Sequence, residues 1–204
     1  SKEEWNDTRK LINIYGIASA MSFLHLHKII HRDLKPANIL MDDFLCPKIA
    51  DFGLSKVQHS NQESMSISSL SQQKGTPLYM SPEIYENFEY SPASDVYAFG
   101  VIVYEIVTSL EPFKGANQFI IGTKVTSGKR PEIDKTVNDS YRSLIERCWS
   151  QNPQERPSFD SIVEELKTDK GYITPTIEMV DFLDYIDFID NCKTSFDSNR
   201  CIIS

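Results

Sequence analysis

The chain has 204 residues, 40% hydrophobic and 25% charged, which is enough apolar material for one globular unit with a sizeable core. A net charge of −8 and a pI near 5.0 argue against sequence-independent binding to nucleic acid, which depends on Lys and Arg neutralising phosphates. There is no apolar run of about 18 residues and no basic-then-apolar opening, so neither a membrane span nor a secretion signal is expected. Cys46, Cys148, Cys192 and Cys201 form no CxxC pair and no dense framework, which fits a reducing, cytoplasmic setting.

The first predicted element is a helix capped by Asp7 or Thr8 and running to about His27. Leu11, Ile14, Tyr15, Ala18, Met21, Ser22 and His25 recur at helical spacing and predict one apolar stripe. His25, His27 and His31 lie close together, but no second pair of ligands follows at zinc spacing, and a zinc site is not expected.

The stretch His31 to Gly53, HRDLKPANILMDDFLCPKIADFG, gathers the chemistry. Its middle reads as a β-hairpin: Ile39-Leu40-Met41, a polar turn at Asp42-Asp43, then Lys48-Ile49-Ala50. Asn38 enters the first strand and Asp51 leaves the second, so an amide oxygen and a carboxylate are expected to meet at one open end. Two hard oxygen donors suit Mg2+, which keeps most of its coordination for waters and phosphates. Asp33 precedes them, with Arg32 and Lys35 beside it. A carboxylate next to a magnesium-phosphate site can orient or deprotonate an attacking hydroxyl, and a lysine can neutralise a moving phosphoryl group. The pattern points to phosphoryl transfer.

HRDLKPAN followed by DFG resembles the catalytic and metal-binding loops of eukaryotic protein kinases. The resemblance implies Asp33 as catalytic base, Lys35 on the γ-phosphate of ATP, and Asn38 and Asp51 as Mg2+ ligands. It implies Leu40 as part of the adenine-pocket floor and His31, Phe52 and Gly53 as structural members of the two motifs. The implied fold is mainly α with a small β-hairpin, that of the kinase C-terminal lobe, with the helix at 7–27 leading into the loop.

From Leu54 to Gln73 the sequence turns polar, with hydroxyls at Ser64, Ser66, Ser68, Ser69 and Ser71. One reading is a solvated loop. The other, drawn from the resemblance, is an activation loop in which a phosphoserine, placed by an upstream kinase or by autophosphorylation, pairs with Arg32 and Lys56. GTPLYMSPE, Gly75 to Glu83, then resembles the substrate-docking loop and APE motif, with Ser81 in place of Ala. The likeness implies hydrogen bonds from Thr76 toward Asp33 and Lys35. Together with LKPAN it implies transfer to Ser/Thr hydroxyls of protein substrates.

Residues 94–109, SDVYAFGVIVYEIVTS, are apolar nearly all round and predict a helix buried on every side, stopped by Pro112. Asp95 at its start needs buried partners. It can be an N-cap, and the resemblance implies that it accepts hydrogen bonds from the HRD backbone. Glu105 matches a position that some kinases use to prefer basic residues upstream of the phosphosite. Two further helices are predicted, one through Tyr141, Leu144, Ile145 and Cys148, the other capped by Ser158 with Phe159, Ile162, Val163 and Leu166 on one face. Between them Arg156 matches the kinase arginine that pairs with the motif glutamate, here Glu83. DVYAFG with ERCW and ERPSF resembles the tyrosine-kinase-like group.

The likeness covers about residues 5 to 167, so 1–168 reads as a C-terminal lobe and 169–204 as an acidic and apolar tail. Its Glu178, Asp181, Asp184, Asp187 and Asp190 recur every third residue and spiral around a helix that docks on the lobe or begins another module. The chain closes on Cys201-Ile-Ile-Ser, a farnesylation pattern with no polybasic stretch upstream, Lys193 and Arg200 standing alone among acids, so any membrane association through it is expected to be weak. No GxGxxG occurs among the eight glycines and no VAIK-like segment precedes the HRD helix. The N-terminal lobe is therefore expected to be missing from this stretch. A lone lobe acting as a protein-binding module or pseudokinase-like scaffold is the alternative to an enzyme.

Overall fold

The computed structural model describes residues 5–44, 46–57 and 75–197, with side chains through Cys192. The described residues form seven α-helices and two two-stranded antiparallel ribbons, a mainly helical fold.

Helix α1, Asp7–Leu26, begins one residue ahead of the expected caps. Asn6 is the N-cap and accepts the Arg9 amide at 2.9 Å, while Asp7 lies in the first turn, where its carboxylate takes Lys10 Nζ at 3.0 Å. The expected single stripe is too narrow. Residues 11–19 are buried on every side, including Asn13, Gly16 and Ser19. Sequence periodicity registers one packing partner, whereas α1 has several.

Strands β1, Ile29–Ile30, and β4, Lys56–Val57, pair with Ile30 opposite Lys56. This ribbon was not expected, because two-residue strands are too short to show alternation. Strands β2, Ile39–Met41, and β3, Pro47–Ile49, form the expected hairpin, with Leu40 opposite Lys48. Its turn is closed by Asp42, whose Oδ1 accepts the amides of Phe44 and Cys46 at 3.0 and 2.9 Å.

A short helix α2, Pro82–Asn87, precedes the central helix α3, Pro92–Thr108. Helix α3 starts earlier than expected because Ser91 and Ser94 form a reciprocal capping box, and it ends at a left-handed Ser109 before Pro112 is reached. Asp95 therefore sits inside the helix, not at its cap. Helix α4, Gln118–Thr126, was not expected; Phe119 and Ile120 lie exposed on it and blur its apolar face. Helix α5, Asp139–Cys148, crosses α3 so closely that a methyl at Gly100 would lie 2.7 Å from Cys148 Cβ. Helix α6, Phe159–Thr168, is capped by Ser158 as expected and packs along α1.

Helix α7, Met179–Asp197, docks on the rest of the fold. Just before it, Thr176 Oγ1 donates to Asp7 Oδ2 at 2.7 Å and Glu178 N donates to Thr8 Oγ1 at 2.9 Å. Phe182 and Tyr185 then meet the Tyr15 ring edge to face, and Lys167 reaches Asp190 at 2.7 Å. Burial of Phe182 alone contributes about 1.5–3 kcal/mol. Asp181, Asp184 and Asp187 stay exposed on the far side. Among the described residues, no helix is long and apolar enough to cross a membrane.

Candidate active site

The loop after β1 is held from below by one side chain. Asp95, in the first turn of α3, accepts the His31 amide on Oδ2 and the Arg32 amide on Oδ1, both at 2.9 Å. His25 Nε2, at the end of α1, lies 2.9 Å from the same Oδ2. Asp95 is buried, so this is the full set of partners a buried carboxylate requires. The two amides fix a turn in which Arg32 has a φ of 70°, a left-handed conformation that costs a non-glycine residue energy. Sequence reasoning missed His25, whose spacing from Asp95 carries no local signal.

Asp33 follows, 7% exposed. Its Oδ1 accepts Thr76 N at 2.9 Å and Thr76 Oγ1 at 3.0 Å. Its Oδ2 accepts Lys35 Nζ at 2.7 Å and Asn38 Nδ2 at 3.2 Å. Lys35 Nζ also donates to Thr76 Oγ1 at 2.8 Å, so the threonine hydroxyl links lysine to carboxylate. Asn38 Nδ2 donates to the Asp33 carbonyl at 2.8 Å as well, which turns Asn38 Oδ1 away from Asp33. Asp33, Lys35, Asn38 and Thr76 thus form one bonded cluster, drawn from residues 43 apart in the chain.

The hairpin places the second carboxylate, with one adjustment. Ala50, not Asp51, stands opposite Asn38, and its amide donates to the Asn38 carbonyl at 2.9 Å. Asp51 comes next, at φ 61° and ψ 71°, and this left-handed turn takes it off the ladder. Among the described residues its exposed carboxylate accepts only the Gly53 amide, at 3.3 Å on Oδ1. Among the described residues neither Asn38 Oδ1 nor Asp51 Oδ2 accepts a hydrogen bond, so each has oxygen lone pairs to offer a hard divalent cation. The donor chemistry fits Mg2+ held partly by phosphates. No cluster of three or more His, Cys, Asp and Glu side chains able to hold a metal occurs among the described residues.

His31 is buried within this frame. Asp33 N approaches its Nδ1 at 3.4 Å and its Nε2 lies 3.1 Å from the Ala50 carbonyl, an arrangement that assigns the ring proton to Nε2. Phe52 lies 5.5 Å from the His31 ring. His31 thus ties the loop carrying Asp33 to the strand end leading to Asp51.

The remaining expected residues fall around this centre. Glu83 and Arg156 form a buried two-pronged pair. Burial pushes the Glu83 carboxyl up, but the hydrogen bonds and charge of Arg156 outweigh it and leave the group below the usual glutamate value. Leu40 is exposed on the open side of the hairpin, and Lys56 is exposed on β4. The Arg32 guanidinium lies over the Tyr90 ring at 5.1 Å, and its buried Nε has no partner among the described residues. Glu105 Oε2 accepts the Tyr79 hydroxyl at 3.0 Å; burial pushes this carboxyl up against that bond. Tyr79 and Tyr90 were also missed, since neither differs in sequence from any half-buried tyrosine. Ser64, Ser66, Ser68, Ser69, Ser71 and Cys201 lie outside the described residues.

Comparison with known proteins bears on the same residues. The family described as protein tyrosine and serine/threonine kinase matches residues 1–166. A Dictyostelium discoideum protein named as a probable LIM domain-containing serine/threonine-protein kinase is 39% identical over 152 residues, 74% of this chain and 22% of that protein. A probable serine/threonine-protein kinase of the same organism is 40% identical over 150 residues, 72% of this chain and 16% of that protein. The chain spans about a fifth of the length of these relatives.

Proposed function

This chain belongs to the eukaryotic protein kinase family, and from that premise we propose that it is the C-terminal lobe of a serine/threonine kinase, transferring the γ-phosphate of ATP to protein Ser/Thr hydroxyls. The observation that carries the proposal is the Asp33 cluster. A buried carboxylate with both oxygens engaged by Thr76, Lys35 and Asn38 is held in one orientation at an open face. It can accept the proton of an attacking hydroxyl, or align that hydroxyl, without moving first. Lys35, bonded on one side to Asp33 and on the other to Thr76, is placed to follow negative charge as it moves from ATP to the acceptor oxygen.

Asn38 Oδ1 and Asp51 are the groups that would hold Mg2+. Bound there, the cation would supply charge neutralisation on the phosphate oxygens. Leu40 offers an apolar surface beneath the adenine ring. The Thr76 contacts and the LKPAN sequence support Ser/Thr over Tyr acceptors, and the ERCW and ERPSF stretches support the tyrosine-kinase-like group.

Control through the serine-rich stretch at 54–73 belongs to the same proposal. Arg32 is half-buried beside the proposed catalytic carboxylate with an Nε that has no partner among the described residues, and Lys56 stands nearby on the strand paired with β1. A phosphoserine would find two cations there. The decisive experiment is phosphoryl transfer by the longer protein that contains this chain, using Ser, Thr and Tyr peptides. Ser/Thr transfer abolished by Asp33→Asn supports the reading, and transfer that is indifferent to Asp33 removes it.

A further inference from the structure

Helix α7 lies beyond the stretch that matches the kinase family, which ends at residue 166. It nonetheless reaches the underside of the hairpin that carries the metal-ligand candidates. The point of contact is Tyr185. A side chain at Gly16 on α1 would run into the Tyr185 hydroxyl, and the same position lies 2.6 Å from Pro47 Cγ and 3.1 Å from Pro47 Cδ on β3. Three elements therefore converge where only a glycine fits: α1 supplies the notch, β3 the proline ring and α7 the tyrosine.

Tyr185 is 7% exposed, its ring packs edge to face on Tyr15, and Phe182 packs on Tyr15 one turn earlier. The helix is pinned on both sides of this point, through Glu178 to Thr8 and through Asp190 to Lys167. The tyrosine is thus pressed into its position by the helix behind it. Ahead of it the hairpin is only three residues per strand, too short to hold its own place without a surface beneath it. Pro47 opens β3, Ala50 N closes the ladder on Asn38, and Asp51 follows.

We infer that Tyr185 is a positioning residue for the phosphoryl-transfer site: meeting Pro47 at the Gly16 notch, it fixes the seat of the hairpin on α1 and through it the places of Asn38 and Asp51. The inference rests on the phosphoryl-transfer reading for its purpose. The wedge itself does not depend on that reading.

The test uses the full 204-residue chain with two substitutions, Tyr185→Ala and Tyr185→Phe. Amide hydrogen exchange is followed at Ala50 and Asp42 in the hairpin and at residues 101–104 of α3 as a reference for global opening. Tyr185→Ala should speed exchange at the hairpin amides about tenfold relative to α3, and Tyr185→Phe, which keeps the ring on Tyr15 but loses the hydroxyl that meets the Gly16 notch, should fall between Ala and wild type. Equal hairpin exchange in the Ala variant, or hairpin and α3 accelerating together, overturns the inference. In parallel, Mn2+ is added as a paramagnetic probe, and broadening of the Asn38 side-chain amide signals is compared. Broadening in the wild type that weakens in Tyr185→Ala supports the inference, and equal broadening in both variants counts against it. No broadening even in the wild type strikes at the metal-site reading, and the exchange result then decides the wedge by itself.

Discussion

Arg156 grips Glu83 with both ends of its guanidinium, Nη1 to Oε1 at 2.7 Å and Nη2 to Oε2 at 2.9 Å, across 73 residues of chain. The arginine side chain is fully buried, its Nε and Nη1 also donate to the carbonyls of Ser150 and Ala93, and its guanidinium lies over the Tyr97 ring. One residue thereby joins the loop after α5, the start of α3 and the segment that follows Thr76. Arg156→Met should cost about 3–5 kcal/mol, because it strands a buried carboxylate. Changing Glu83 to Leu as well should recover a large part of that loss. Urea unfolding of the single and double variants checks both statements.

The same pair sets an acid limit. The folded Glu83 carboxyl titrates below its ordinary value of 4.5, so the unfolded chain binds that proton more readily. The stability it contributes is complete above about pH 4.5 and is lost as the pH falls through the lower folded value. Asp7, held down first by Thr176 and then by Lys10, acts in the same direction. Thermal unfolding between pH 5 and 3 should therefore show falling stability, with a shallower fall in Glu83→Gln.

Asp95 is the second buried carboxylate whose loss would leave donors stranded. Asp95→Ala removes the acceptor of two backbone amides and the partner of His25. At about 1–3 kcal/mol for each buried group left unsatisfied, the variant should lose roughly 3 kcal/mol or more. The Arg32 turn should loosen first, because its left-handed conformation depends on those bonds. Denaturant titration gives the total, and exchange at the His31 and Arg32 amides locates it.

With an N-terminal lobe supplied to the chain, Asp33→Asn should lower turnover about 10²-fold or more, as expected if the proposed general base is lost. The change also turns an NH2 group toward donors from Thr76 or Lys35, so the fold should be verified alongside. Steady-state kinetics with a peptide acceptor measures the effect. A loss carried in kcat, with KM for ATP little changed, is the expected division.

The 204-residue chain by itself should bind Mg·ATP weakly, because its eight glycines include no phosphate-cradling GxGxxG and Leu40 stands exposed. Titration calorimetry should show affinity weaker than about 10 μM.

Short motifs with strong local chemistry were legible in the sequence. HRDLKPAN, the hairpin, the GTPLYMSPE loop and the apolar run at 94–109, of which residues 94–104 are buried and the last turn is not, announced themselves, because each combines a local pattern with a residue type that fits few other settings. The Thr76 contacts and the Glu83–Arg156 pair, expected from the resemblance, are present in the structure. Not legible were helix α4, whose exposed Phe119 and Ile120 break the apolar period, and the β1–β4 ribbon, whose strands are too short to alternate. The register was misread by one residue, since a left-handed φ at a non-glycine Asp51 leaves no trace in composition.

Sequence alone determined the family, the residues proposed for the reaction and the order in which the chain presents them, because these depend on covalent neighbours within about twenty residues. Tertiary structure decided the rest. It showed that residues 11–19 of α1 are buried on every side, that His25 joins Asp95, and that Tyr185 and Pro47 meet at Gly16. Each of these arises from surfaces brought together by burial across long separations in the chain, and close packing specifies them by shape, which no local pattern of residues encodes.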